Sequence, residues 1–256
     1  ARDRGLKPIL GCETYVAPAD RREKDSPASY AGTSHLILLA MNQKGYKNLL
    51  KLVSAAYLEG FYYKPRVDRA LLEQHNEGLI ALSSCLRGVI AHLLQNGEKQ
   101  RAFEAAEWYA RVFQDRFYIE LQRNGAPDQE EVNQELIRIA RELNLPVVAT
   151  NDCHYLVREH AKAHDALLAI QTRSILTDPK RFKFSGDQNY FKSAEEMETL
   201  FGDMPDVVHR SVEIAERCNV ELELGRLHFP HIEVPETHTL DSWLAGSETS
   251  PLASGR

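Results

Sequence analysis

The chain has 256 residues, 43% hydrophobic and 27% charged, and its 31 Lys and Arg against 37 Asp and Glu leave a net charge of −6. That length forms one large domain or two small ones and needs no disulfide framework, and the acidic balance excludes a free-standing nucleic-acid binder that works by net positive charge. Four scattered cysteines without a CxxC pair argue against a secreted scaffold or a four-cysteine zinc module and fit a reducing cytosol, while no apolar run reaches the length of a membrane span.

Ala1 to Gly5 reads as a closing helical turn with a C-terminal glycine, leading into a strand over 7–17. A polar loop over 19–34 precedes a second strand, His35 to Ala40, and a helix over 44–59 with Leu49, Leu50, Val53, Ala56 and Tyr57 on one face. A short helix at 68–75 and a strand at 78–83 follow, then helices at 86–95 and 98–114 and a strand at 116–121. Asp128 and Glu131 have capping-box spacing at the head of a helix over 128–143, and a strand covers 146–150. The rest is helical at 157–172, at 194–201 behind Ser193 and Glu196, and at 206–218; from about 245 the composition predicts a disordered tail. Both ends read as those of a piece of a longer protein. Strands alternating with amphipathic helices predict a parallel sheet, and without GxGxxG or GxxxxGK[ST] the barrel is favoured over a doubly wound sheet. Chemistry in such barrels sits at the carboxyl ends of the strands.

Those ends carry Glu13, Cys85, Asp152 and His154. In extended backbone, residues i and i+2 share a side about 7 Å apart, so Asp152 and His154 can reach one ion while Cys153 points away. Carboxylate, imidazole and thiolate together suit zinc, or a mixed zinc, manganese and iron cluster. Each has a plainer reading by itself: Glu13 as a cap or solvated residue, Cys85 as a small buried hydrophobe, the Asp-Cys-His triplet as a turn. Their joint placement is the argument for a site.

Other groups are weaker. His160 and His164 have helical i, i+4 spacing, but Ala161 stands where a zincin needs its Glu, leaving His164 as a structural or supporting group. Glu120 lies near a strand end as a hydrogen-bonding support, and Asn151 adjoins the Asp-Cys-His triplet. Ser83 and Ser84 lack a GxSxG elbow. Lys180-Arg181-Phe182-Lys183-Phe184 interleaves basic and aromatic residues as a single-strand binder does, and equally reads as a solvated loop.

Several stretches, in order, resemble the polymerase-and-histidinol-phosphatase (PHP) domain of bacterial replicative DNA polymerase III alpha subunits: Gly5 to Glu13, His35 to Asn42, Gly45 to Leu49, Glu77 to Leu86, Val148 to Tyr155, Ala163 to Gln171 and Val212 to Val220. The likeness spans roughly 5–240, with 241–256 as tail or linker. It implies an α/β fold, a distorted (β/α)7 TIM-like barrel lacking its first strands, with metal ligands at Glu13, His35, Cys85, Asp152 and His154. His35 enters only through the resemblance, since it opens a strand. The family's opening HxH, a following Asp and a further His would precede Ala1, so the divalent cluster (zinc, or manganese, iron or magnesium) would be incomplete here. The isolated chain is accordingly expected to be inactive and prone to aggregate.

The resemblance further implies a bacterial, cytoplasmic DNA-directed DNA polymerase as parent, a nucleotidyltransferase meeting DNA through its polymerase domains. Its PHP portion would be a metal-dependent 3′-to-5′ exonuclease, or a scaffold docking those domains and a separate proofreading exonuclease subunit. A PHP-type small-molecule phosphoesterase is the third reading, disfavoured by the polymerase-like stretches at 45–60 and 206–220.

Overall fold

The computed structural model describes residues 1–24, 32–227, 233–239 and 241–243. Contacts divide the chain into two units, Ala1–Glu221 and Leu222–Arg256. In the larger, the order is β1 (Gly11–Val16), β2 (Ser34–Ala40), α1 (Gln43–Leu58), β3 (Arg66–Val67), α2 (Arg69–His75), β4 (Leu79–Leu82), α3 (Val89–Gln95), α4 (Lys99–Phe113), β5 (Phe117–Gln122), α5 (Gln129–Glu142), β6 (Val147–Thr150), α6 (Ala161–Gln171), α7 (Ala194–Leu200) and α8 (Pro205–Arg217).

The strands form one six-stranded sheet in the order β3-β1-β2-β4-β5-β6. The expectation of an all-parallel sheet is corrected here. β2 runs antiparallel to both β1 and β4, whereas β1 with β3, β4 with β5 and β5 with β6 are parallel. No helix separates β1 from β2 among the described residues, and without a crossover the chain reverses direction. The sheet is thus mixed, and the two-residue strand β3, absent from the expected elements, extends it at one edge.

Period-two alternation gives each face its character. Leu36, Leu38 and Ala40 of β2, Leu79 and Ala81 of β4, and Phe117, Ile119 and Leu121 of β5 enter the main core with α1 to α5. On the other face Ile80, Leu82, Tyr118 and Val148 pack with Ile214 and Cys218, from α8 and just after it, beside Ile37 and Leu39. This second face changes along its height. Apolar at one level, it carries Glu13, His35, Glu120, Gln122 and Thr150 toward the carboxyl ends of β1, β5 and β6.

Several local expectations hold in form. The first residues make a 3-10 turn, Arg2–Arg4, closed by left-handed Gly5, and Ser193 with Glu196 forms a complete capping box on α7. Asp68 caps α2 by accepting from Leu71 N–H. Asp128 does not form the expected capping box: its backbone is left-handed (φ 63°) rather than extended, and its side chain makes no capping hydrogen bond to α5. Lys7 to Leu10 lie outside β1, and the helix expected over 157–172 is a 3-10 turn, Arg158–His160, followed by α6. The tail beyond 243 and part of the 19–34 loop lie outside the described residues. In the smaller unit Thr239 and Ser242 exchange hydrogen bonds and Trp243 meets His238 edge-on.

Candidate metal centre

Glu13, His35, Cys85, Asp152 and His154 all line one open cavity of about 430 Å³. Glu13 comes from the middle of β1 and shares a face with Tyr15, which pairs with His35 at the start of β2. Because β2 is antiparallel, its beginning lies beside the carboxyl end of β1, so a residue that opens a strand reaches the same rim as Glu13. His35 Nδ1 contacts the Glu13 carboxylate and lies 3.9 Å from Cys85 Sγ. Burial pulls the His35 pKa down, yet its hydrogen bonds to Cys85 and Glu13, with the charges of both, prevail and raise it to about 9.

Asp152 and His154 arrive differently from the extended pair expected. β6 ends at Thr150, and Asp152 adopts a left-handed backbone (φ 50°), so the two sit in a loop rather than on a strand. They nevertheless meet, with His154 Nε2 3.3 Å from Asp152 Oδ1. The hydrogen bond to Asp152 raises the His154 pKa against the opposing effect of burial, and the Asp152 and Glu13 charges add to it. Cys153 turns away, its thiol 3.6 Å from the Tyr190 carbonyl.

Buried amides hold this loop. Asn151 Nδ2 donates to the Gln188 and Tyr190 carbonyls, Asn189 Nδ2 donates to the Asp152 carbonyl, and His154 N–H donates to Asn189 O. Asn189 carried no sequence signal, since its partner lies 37 residues away. His164 lies tilted against His154, ring centroids 5.3 Å apart, and lines a neighbouring cavity, and burial lowers its pKa. Glu120 is fully buried beneath the rim, accepting from Ser84 N–H (3.1 Å), Gln122 Nε2 (2.9 Å) and the Thr150 hydroxyl. Burial raises its pKa, and the Asp152 charge adds to that.

The donor set therefore contains carboxylate oxygens, imidazole nitrogens and a thiol, the mixture that suits zinc and related ions. It falls into two contacting groups, Glu13/His35/Cys85 and Asp152/His154. Among the described residues no three His, Cys, Asp or Glu side chains stand around a common point. The residues fit a metal in chemistry and in their shared cavity, with their polar atoms turned onto one another.

Residues 1–124 match the family described as PHP domain. The chain is 45% identical over 232 residues to the DNA polymerase III subunit alpha of Treponema pallidum, which takes in 90% of this chain and 20% of that protein. It is 42% identical over 246 residues to that of Borreliella burgdorferi (95% and 21%) and 43% identical over 249 residues to that of Thermus aquaticus (94% and 20%). The chain spans about a fifth of the length of these curated relatives. The first 124 residues thus carry the likeness to the PHP-domain family, in a chain similar over nine tenths of its length to bacterial DNA polymerase III alpha subunits.

Proposed function

We propose that the chain is the PHP portion of a bacterial replicative DNA polymerase alpha subunit, and that its cavity is a divalent-metal site for phosphodiester hydrolysis at a DNA 3′ end. One observation carries the reading: Glu13, His35, Cys85 and the Asp152/His154 pair, distant in sequence, line a single cavity. The six-stranded sheet is read as part of a distorted (β/α)7 barrel whose functional rim is the one these residues occupy. Four free thiols accord with a reducing bacterial cytoplasm, and no helix among the described residues is long and apolar enough to cross a membrane.

A divalent metal held at such a site would supply hydroxide near neutral pH and offset charge on the scissile phosphate. The chain's own part is to hold and orient. Glu13, Cys85 and Asp152 offer anionic donors, and His35 and His154 offer nitrogens once deprotonated. Asn151 and Asn189 fix the loop that carries Asp152, and Glu120 braces β5 against β6 behind it. In the parent the polymerase domains would bring the DNA.

The separation of the donors into two groups favours a second reading, a scaffold that docks the polymerase domains and a separate proofreading exonuclease subunit. Metal content decides between them. The purified chain, dialysed against zinc or manganese and then freed of excess, is expected to retain metal by elemental analysis, and Asp152→Asn to lose a large part of it. Equal retention by both, or none by either, overturns the metal reading in favour of the scaffold.

A further inference from the structure

Resting on that phosphodiester reading, we propose that the segment 181–184 is the wall that receives a single DNA strand, a base lying on Phe182 and backbone phosphates meeting Lys183, Lys64 and Arg87. The basic and aromatic alternation of this segment leaves open whether it is simply a solvated loop. Its anchoring answers against that. The Arg181 guanidinium forms a bidentate pair with Asp165 of α6 (2.6 and 2.5 Å), and its side chain is only 6% exposed. Arg181 therefore acts as a peg, and the next three residues line the same cavity as the five metal-type donors.

The two phenylalanines differ in what they do there. Phe184 packs on His154 (4.6 Å) and His164 (5.2 Å), which makes it a fixed part of the wall. Phe182 stands edge-on to Phe184 at 5.7 Å yet remains 57% exposed, an aromatic surface held in place beside the cavity. Lys64, Arg87 and Lys183 border the same space, and none of the three makes a salt bridge among the described residues. Lys64 instead rests over the Tyr15 ring. Cations that form no salt bridge among the described residues, with Lys183 only in the electrostatic reach of Asp165, beside an open aromatic surface match a ligand with repeating phosphates and free base faces. A duplex keeps its base faces stacked on each other, and a mononucleotide offers only one base and one phosphate where the wall presents several cations.

The test is fluorescence anisotropy of a short oligothymidylate, labelled at its 5′ end, titrated with the whole chain in EDTA. Without metal, the reading concerns binding alone. Phe182→Ala is expected to weaken binding about tenfold or more, the loss of one stacked base, with no change in salt dependence. Lys183→Ala is expected to weaken it and to lower the slope of log affinity against log salt by roughly 0.7. Circular dichroism melts check folding, and Phe182→Leu, which keeps apolar bulk without a ring, carries the test if Phe182→Ala unfolds. Unchanged affinity in the Phe182 variants overturns the proposal. So does competition by thymidine monophosphate as strong as that by unlabelled oligonucleotide, which would point to a small phosphate ester, or equally tight binding of a blunt duplex. Loss of metal binding in Asp152→Asn is a separate readout, so either idea can fail while the other survives.

Discussion

His35 stands opposite Tyr15 across the antiparallel β1–β2 pair, and its Nδ1 contacts Glu13, two residues earlier on the same sheet face as Tyr15. With the Cys85 and Glu13 contacts outweighing burial, His35 in metal-free protein is expected to be an imidazolium at neutral pH, with a pKa of about 9 against an ordinary 6.5. Since the folded value is the higher one, the stability it contributes is complete below about 6.5 and is lost as pH rises through about 9. Histidine NMR titration in EDTA should find one ring titrating near 9, and Glu13→Gln should move it down toward the ordinary value. A His35 resonance already titrating near 6.5 in the unmodified chain would contradict this.

Asp68 is 3% exposed and accepts from Arg21 N–H (3.0 Å), Arg21 Nη1 (2.9 Å) and Leu71 N–H (2.9 Å). Burial would raise its pKa, but these hydrogen bonds and the Arg21 charge together lower it. Asp68→Ala leaves a nearly buried cation short of a partner and removes the α2 cap, with an expected cost of about 3–5 kcal/mol in urea unfolding. For a depressed carboxyl, the contribution is present above the unfolded value of about 4 and disappears as pH falls through the folded one. Asp68→Asn should therefore show a shallower loss of stability on acidification than the unmodified chain.

Glu120 should titrate in the opposite sense. Its raised pKa means that the native state holds the proton more tightly, so stability declines as pH climbs from the ordinary 4.5 through the folded value. Glu120→Gln should remove that decline. Glu120→Ala orphans donors on Ser84, Gln122 and Thr150 and is expected to cost about 2–3 kcal/mol by thermal or urea denaturation.

Gly45 in the first turn of α1 meets Gly78, just before β4, so closely that an added Cβ would lie 1.8 Å from the Gly78 carbonyl oxygen. Backbone is on the other side of the contact, and no side chain can swing away. Gly45→Ala should destabilise by about 3 kcal/mol. Gly97→Ala, at a left-handed position (φ 74°) with open space around it, should cost only about 1–2 kcal/mol. A comparison of the two in urea checks whether this helix and strand are as tightly seated as the geometry requires.

Helix periodicity was legible for the long helices: α1 at Gln43–Leu58 and α4 at Lys99–Phe113 lie within a residue of the ranges read from their apolar stripes, because amphipathic spacing is local, whereas the helices read over 86–95 and 157–172 begin three and four residues later. Strands β4 and β6 were equally plain as apolar runs. Glu13, Cys85, Asp152 and His154 were recognisable as ligand-type side chains just after or within strand-like text. Direction was not legible. Nothing in the residues of β2 says that it runs against β1 and β4, since the same alternating pattern serves either orientation. His35 illustrates the consequence: at the start of a strand it looks remote from the site, and only antiparallel pairing carries it to the rim beside Glu13. The Asp152/His154 pair teaches the same lesson, for it meets through a left-handed turn fixed by Asn151 and Asn189, whose partners lie 37 to 39 residues apart. The sequence by itself determined which side chains could do the chemistry and which segments would be helix or strand, both consequences of composition and short-range period. Tertiary structure decided which of those side chains share a cavity, because strand direction and loop anchoring depend on hydrogen bonds between residues far apart in the chain.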